Sequence, residues 1–568
     1  MATIIHKMKK GRPYYYAVES ARVEGKPRII WQKYLGTVQA IVKRTEDARP
    51  PKPQEAVLFE AGGVAALLGL ARRLRLAELL DGLVPKREQG PRVSHYLLLA
   101  AFNRALAPCS KLAIGDWYGQ TVLRRLWRFE QSAFSSQRFW DHMDLVSEEA
   151  IEALQAALVP RIREAFGLDP EVLLYDTTNF FTFLSTTNER CTLAQRGHAK
   201  SKRDNLRLVG LALLVTRDYQ VPLFHRVYEG NISDAGLFPA LAQELVARHR
   251  QACPETGARG TLVFDKGNVS EDAMEQLVVA DQPFIAAVPS NRLPEFAATP
   301  LEAFQAIPGL PGTRAVVGKA EAWGASCRAV LAYTESFFTQ QLDGVTHTLV
   351  KCQKKLMDLE KGLEKWRAGK ARGRRPTLPQ VKASVKAILA PQFMAELFTH
   401  SVTLEGGLPR LTYALDHAAL ERLTRERLGR TLLLAYATPG DAGELLSTYR
   451  SLAHIEEAFK HMKNVDFLRW QPAYHWTDQR LKVHGLYCVL ALLLATLARK
   501  VAVKAGLELS LPALLEELSA IHEVAVIYPP GTPARPKDHI TLSRMSPLQK
   551  KLAHALEIAD VLKGQKEG

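Results

Sequence analysis

The chain has 568 residues, in which 75 Lys and Arg face 59 Asp and Glu, a formal net charge of +16. That length accommodates several domains with cores large enough to need no staples, and the charge points to a polyanionic partner, nucleic acid ahead of an anionic membrane surface. Six cysteines lie scattered with no CxxC pair, which speaks against a disulfide framework and a structural zinc site.

The opening MATIIHKMKKGRPYYY carries charges but no apolar core with a small-residue cleavage site, so it does not read as a signal peptide. Residues 13–36 alternate with period two and predict a β-hairpin. Its basic, tyrosine- and tryptophan-bearing surface suits either a small structural hairpin or contact with a DNA backbone. ARPPKPQ, at 48–54, reads as a proline-rich linker. From about 59 to 165 the periodicity is helical, apolar on one face and basic on the other, without helix-turn-helix spacing.

Near residue 170 the pattern becomes α/β. EVLLYDTTNFFTF predicts a buried strand ending in Asp176. LRLVGLALLVT and VPLFHRVYEGN predict two more, joined by a turn at Arg217–Gln220. A helix capped by Ser233 follows, then the strand TLVFDKGN ending in Asp265, a helix capped by Ser270, and the strand PFIAAVPSN. This order describes a mixed sheet with helices on its faces.

A long interruption runs from about Arg292 to Gly443. It holds strand-like segments and a basic helical stretch, Lys351 to Pro376, with ten cations against three acids. That stretch suits a solvated helix or phosphate contact. Farther on, the apolar run Leu486 to Ala498 is too short to span a bilayer and predicts a buried helix. The protein is expected in the cytoplasm.

The stretch YRSLAHIEEAFKHMK, Tyr449 to Lys463, predicts one helix. Leu452, Ile455, Phe459 and Met462 form its apolar stripe, while Tyr449, Glu456, Lys460 and Lys463 line one edge. Glu457 points toward water. With Asp176 and Asp265, Glu456 completes three carboxylates on two strands and a helix. Such acids repel unless cations neutralise them. Their hard oxygens suit Mg²⁺ or Mn²⁺, and a two-metal site serves phosphodiester chemistry.

At these residues the sequence resembles the DDE transposases of bacterial insertion sequences, in the subgroup with a Tyr–Arg–Glu–Lys signature. Tyr449, Glu456 and Lys463 fall at its spacings. Asp176 in YDTTNF and Asp265 in VFDKGN resemble the family's two aspartates. RGHAKSKRDN at 196–205, YEGNISD at 228–234, QPAYHWTDQRLKVHG at 471–485 and the hairpin ending KYLG resemble further blocks. One position departs: Leu452 stands where the signature has arginine, beside Arg450.

The resemblance implies a ribonuclease-H-like mixed sheet flanked by helices and interrupted by a long β-rich insertion. On that basis 1–45 forms the hairpin, 46–165 a helical DNA-binding or dimerisation region, and 166–291 the first part of the catalytic domain. Residues 292–443 form the insertion, 444–500 the glutamate helix and a closing helix, and 501–568 a C-terminal region assigned to dimerisation. It implies cut-and-paste chemistry on double-stranded DNA by a homodimer, through hairpin ends or directly. Asp176, Asp265 and Glu456 would hold two Mg²⁺ or Mn²⁺ ions. Tyr449, Lys463, Arg450, Lys460, Lys266, His198 and Lys200 are expected DNA contacts. Tyr474, His475 and Trp476 either stack on an unpaired base or pack under the glutamate helix, with packing favoured. Trp323 and Trp366 are further candidates for holding a flipped base. A DNA-binding derivative without catalysis, or a host nuclease with the same metal site, are the competing readings.

Overall fold

The computed structural model describes residues 2–47, 52–86, 89–168, 171–185, 187–197, 206–252, 260–471, 473–530 and 537–563. The chain divides into two compact units. One comprises 1–70, 109–136 and 498–568, and the other 71–108 and 137–497.

The first unit opens on a three-stranded antiparallel meander, β1 (Ala2–Lys9), β2 (Arg12–Val23) and β3 (Lys26–Gly36). It is one strand larger than the expected hairpin, because IIHKMK pairs residue for residue with β2. Lys10–Gly11 and Glu24–Gly25 all have positive φ, the geometry that matches a two-residue turn to strand twist. After the linker, β4 (Glu55–Glu60) pairs with the strand His522–Ile527, which pairs with His539–Leu542. Short EAVLFE was hidden at the start of the helical region, since its pairing partner lies near the other end of the chain. Arg125 clamps this sheet through Glu523, with bonds of 3.0 and 2.6 Å to the buried carboxylate.

The second unit is built on a large mixed sheet. Its strands are β5 (Val172–Thr182), β6 (Gln195–Arg196), β7 (Arg207–Thr216), β8 (Pro222–Glu229), β9 (Thr261–Phe264) and β10 (Phe284–Val288). They continue with β11 (Gln305–Ala306), β12 (Thr313–Ala322) and β13 (Ala325–Thr334). A separate hairpin, β14 (Phe398–Glu405) and β15 (Leu408–Leu415), intervenes before β16 (Arg430–Tyr436) rejoins the sheet. The order is β11-β12-β13-β16-β10-β9-β5-β7-β6, with β8 also on β7. All five strands expected from the sequence are present. β5, β7 and β8 are successive antiparallel neighbours, while β9 and β10 run parallel to β5. The parallel strands are apolar on both sides, as strands covered on two faces must be.

Two boundaries differ from the sequence reading. β5 does not end at Asp176; it runs six residues further, because β7 continues to pair it as far as Thr182–Arg207. The interruption is not wholly separate either, since β11, β12, β13 and β16 extend the main sheet. Within it, the helix Glu335–Arg367 makes its own core with Leu378–Ile388 and the β14–β15 hairpin, around Leu356, Val385, Met394 and Leu411.

The apolar run near residue 490 lies in a 27-residue helix, Asp478–Lys504. By length and composition it could cross a membrane, yet 83% of its apolar window is buried inside the molecule. Cys109, Cys191, Cys327, Cys352 and Cys488 are free thiols.

Candidate active site

The sheet brings two aspartates together by register. β5 and β9 are parallel, and their last paired residues are Tyr175 and Phe264. Asp176 and Asp265 come one step later, so they stand on adjacent strands at the carboxyl edge of β9. Neighbouring strands lie roughly 4.8 Å apart. Leu173, Leu174, Tyr175, Leu262, Val263 and Phe264 are buried and fix both strands. Beyond Asp265 the chain turns into a short 3₁₀ segment, Lys266–Asn268, whose Asn268 N–H bonds the Asp265 carbonyl at 3.0 Å.

The glutamate arrives on the helix Leu452–Lys463. Leu452, Ile455, Phe459 and Met462 are buried, as their spacing requires, and Glu456 is exposed at the edge of that stripe. Glu457 is exposed and faces His461, with 3.7 Å between carboxylate and imidazole. The expected single helix is in fact two. Ala442–Arg450 ends and Leu452–Lys463 begins at Ser451, whose hydroxyl bonds the Thr448 carbonyl at 2.5 Å. Such a back-bond competes with the helix ladder. Tyr449 therefore belongs to the first helix and Glu456 to the second.

Two side-chain contacts lock these helices to the acid-bearing strands. The Tyr449 hydroxyl donates to Asp265 Oδ1 at 2.9 Å. Burial, then Asp265 itself, then the charges of Glu456 and Asp176, push this phenol far above the ordinary tyrosine range. It stays protonated and remains a donor. At the other end, Lys463 Nζ donates to Thr178 Oγ1 at 2.6 Å and lies 5.5 Å from the Phe180 ring centre. Thr178 and Phe180 follow Asp176 on the same face of β5, at the strand's period of two. Phe180 stacks on buried Trp470 at 4.4 Å, and the Trp470 backbone N–H bonds Met462 at 2.8 Å. Thr178 and Phe180 were not among the expected site residues, although the alternation in DTTNF carries the signal.

The remaining expected residues separate. Arg450 donates to Thr313 and Thr334 at 3.0 and 2.8 Å, on β12 and β13, and burial lowers its pKa. It is occupied within the fold. Lys266 and Lys460 are exposed. His198 and Lys200 lie outside the described residues. His475 is buried, as packing predicts, but Tyr474 and Trp476 are 64% and 67% exposed and do not pack under the glutamate helix. Trp323 is buried, with Arg292 4.4 Å above its ring and Phe284 edge-on, which leaves no open face for a base. Trp366 is half-buried.

Among the described residues, no three His, Cys, Asp or Glu side chains close into a single metal cage. The donors that Asp176 and Asp265 offer at the strand ends are carboxylate oxygens.

No family model matches the chain, and no curated protein matches it. Among solved structures it is similar to the piggyBac transposase, determined by cryo-electron microscopy as a synaptic complex with hairpin DNA. The match covers 80% of this chain and 78% of that one, at 10% identity and a TM-score of 0.35.

Proposed function

We propose that this protein is a DDE-type DNA transposase with a ribonuclease-H-like catalytic sheet. It binds the inverted ends of its own element and carries out strand cleavage and strand transfer. One juxtaposition supports this reading above the rest. Asp176 and Asp265 directly follow the last parallel-paired residues of adjacent strands, and the helix pair carrying Glu456 is pinned across them by Tyr449–Asp265 and Lys463–Thr178. The strand sequence of three antiparallel neighbours followed by two parallel ones agrees with the fold that the motifs imply.

Asp176, Asp265 and Glu456 would hold divalent cations, Mg²⁺ or Mn²⁺. The all-carboxylate donor set fits them, and Mg²⁺ takes one or two carboxylates plus substrate phosphate rather than a closed protein cage. Such ions activate an attacking oxygen and stabilise a leaving one. The chain's own residues do the rest. Tyr449 keeps its proton and orients Asp265 by donating to one oxygen. Lys463, held by Thr178 beside Asp176, supplies positive charge where a scissile phosphate approaches. In cleavage, a water oxygen bonds to phosphorus, the P–O3′ bond breaks, and the 3′ oxygen leaves with a proton. In transfer, that 3′ oxygen attacks a phosphodiester of the receiving strand and releases its 3′-OH in turn. The formal charge of +16 matches a DNA substrate.

The test is cleavage of DNA carrying the regions that flank this gene, by purified protein with Mg²⁺, beside the Asp265→Asn variant. Defined nicks or hairpins at inverted repeats, absent in the variant, are the expected result. Binding without cutting would favour a non-catalytic derivative, and cutting at scattered positions a nuclease.

A further inference from the structure

β5 leads from the acids to a second feature that cleavage does not use. The strand continues to Thr182, and Phe183 follows it, 51% exposed. Beside it runs the segment that joins the glutamate helix to Asp478–Lys504. Thr182 bridges Ala473, and the Phe183 N–H reaches the Ala473 carbonyl at 3.5 Å. Along this segment the side chains alternate as in an extended strand. Ala473 and His475 are buried, while Tyr474 and Trp476 face solvent.

His475 explains the alternation. Its Nε2 lies 3.1 Å from His484 Nδ1 and 3.4 Å from the Tyr487 hydroxyl, all buried. His484 Nε2 is 2.8 Å from the Trp470 carbonyl. A carbonyl only accepts, so His484 carries its proton on Nε2 and accepts at Nδ1. This network fixes the register of the segment, and in that register both aromatic neighbours must point outward. The flanking loop is tied down as well. Asn188 donates to the Trp476 carbonyl at 3.2 Å, and Asp478 accepts from Thr192 and Leu193. Tyr474 lies 5.7 Å from Phe183, which lies 5.6 Å from Phe181.

Exposed rings held in fixed positions mark a contact surface, and their surroundings favour nucleic acid over protein. Nearby Leu184, Cys191, Leu193 and Ala194 are buried. Exposed along the chain that follows Phe183 are Ser185, Thr187, Glu189, Arg190, Thr192 and Arg196. Rings accompanied by exposed hydroxyls and by two arginines against one acid, Glu189, among these residues fit the flat faces of bases and the phosphates between them. Seven steps along the chain, six of them within β5, separate Phe183 from Asp176, roughly 23 Å, a span within reach of one bound strand.

We propose that Phe183, Tyr474 and Trp476 form a stacking platform for unpaired bases of the DNA strand processed at the acids. This rests on the function proposed above. The experiment uses the full chain with two dye-labelled probes, a blunt duplex and the same duplex with a single-stranded dT tail, read by fluorescence anisotropy. The wild type should bind the tailed probe more tightly. Tyr474→Ala and Trp476→Ala should weaken tailed binding by roughly five- to a hundredfold each and leave the blunt duplex unchanged, while Trp476→Phe keeps most of the preference. Equal binding of both probes by the wild type, or a preference that survives both alanine variants, overturns the platform alone. A change in oligomeric state by light scattering with DNA binding intact overturns it in favour of a second copy of the chain. Failure to bind either probe overturns both the platform and the proposed function. Both side chains are solvent-facing, and matching thermal melts confirm that the variants fold.

Discussion

The Tyr449 hydroxyl meets Asp265 Oδ1 at 2.9 Å, across 184 residues of sequence. A protonated phenol is neutral, so it can sit among three carboxylates and donate to one of them. The surrounding negative charge strengthens that state by raising the phenol's pKa. Hydrogen bonds to ionised groups contribute about 1.5–3 kcal/mol. Tyr449→Phe should therefore lower the cleavage rate by roughly ten- to a hundredfold without unfolding the protein. Single-turnover cleavage of a pre-bound end, with a thermal melt alongside, checks this. A wild-type rate would show that Asp265 needs no orienting donor.

Under the proposed function the three acids should differ from their neighbours in role. Asp176→Asn, Asp265→Asn and Glu456→Gln are each expected to abolish strand cleavage with little change in DNA affinity. Glu457→Gln removes an exposed charge whose partner is His461 and should be mild. Paired cleavage and gel-shift assays separate the two classes. Full activity in any of the first three would remove that residue from the site.

How much of this was legible depends on the range of the interaction. Asp176 and Asp265 could be read because each follows an apolar run, and such a run is a local signal. Their adjacency could not, since it depends on β5 and β9 pairing across a helix and three intervening strands. The apolar stripe of the glutamate helix was equally plain from 3.6-residue spacing. The break at Ser451 was not, because Ser451 keeps helical angles, φ −65° and ψ −11°, and no glycine or proline marks it. The strands β12 to β16 were visible as strand-like segments. That β13 joins β16, and β16 joins β10, is decided only by long-range pairing.

Thr178 links strand and helix through Lys463, at 2.6 Å. Thr178→Val keeps the shape and removes the hydroxyl acceptor that the Lys463 ammonium uses. Loss of that bond should weaken complexes with element ends several-fold, roughly 1–2 kcal/mol, and the slope of affinity against salt should become shallower as one phosphate contact is lost. Thr178→Ser restores the acceptor and should recover most of the affinity. Titrations of all three forms at several salt concentrations test this, and an unchanged salt slope in Thr178→Val would place Lys463 outside the phosphate contacts.

His225 makes the second unit sensitive to acid. It is buried on β8, and burial, then the charge of Arg226, lowers its pKa from 6.5 to about 3. The folded protein holds this imidazole neutral, whereas the unfolded chain protonates it near pH 6.5. Between those values the unfolded state binds more protons, so stability falls as pH falls. The contribution is fully present above the unfolded pKa and is lost progressively toward pH 3, at about 1.4 kcal/mol per pH unit for one proton. Urea unfolding at a series of pH values below 7 should show this slope. His225→Leu cannot take up the proton, so its stability should be flatter with pH over the same window, whatever the packing change costs at neutral pH. An identical slope in the variant would assign the acid sensitivity to other groups.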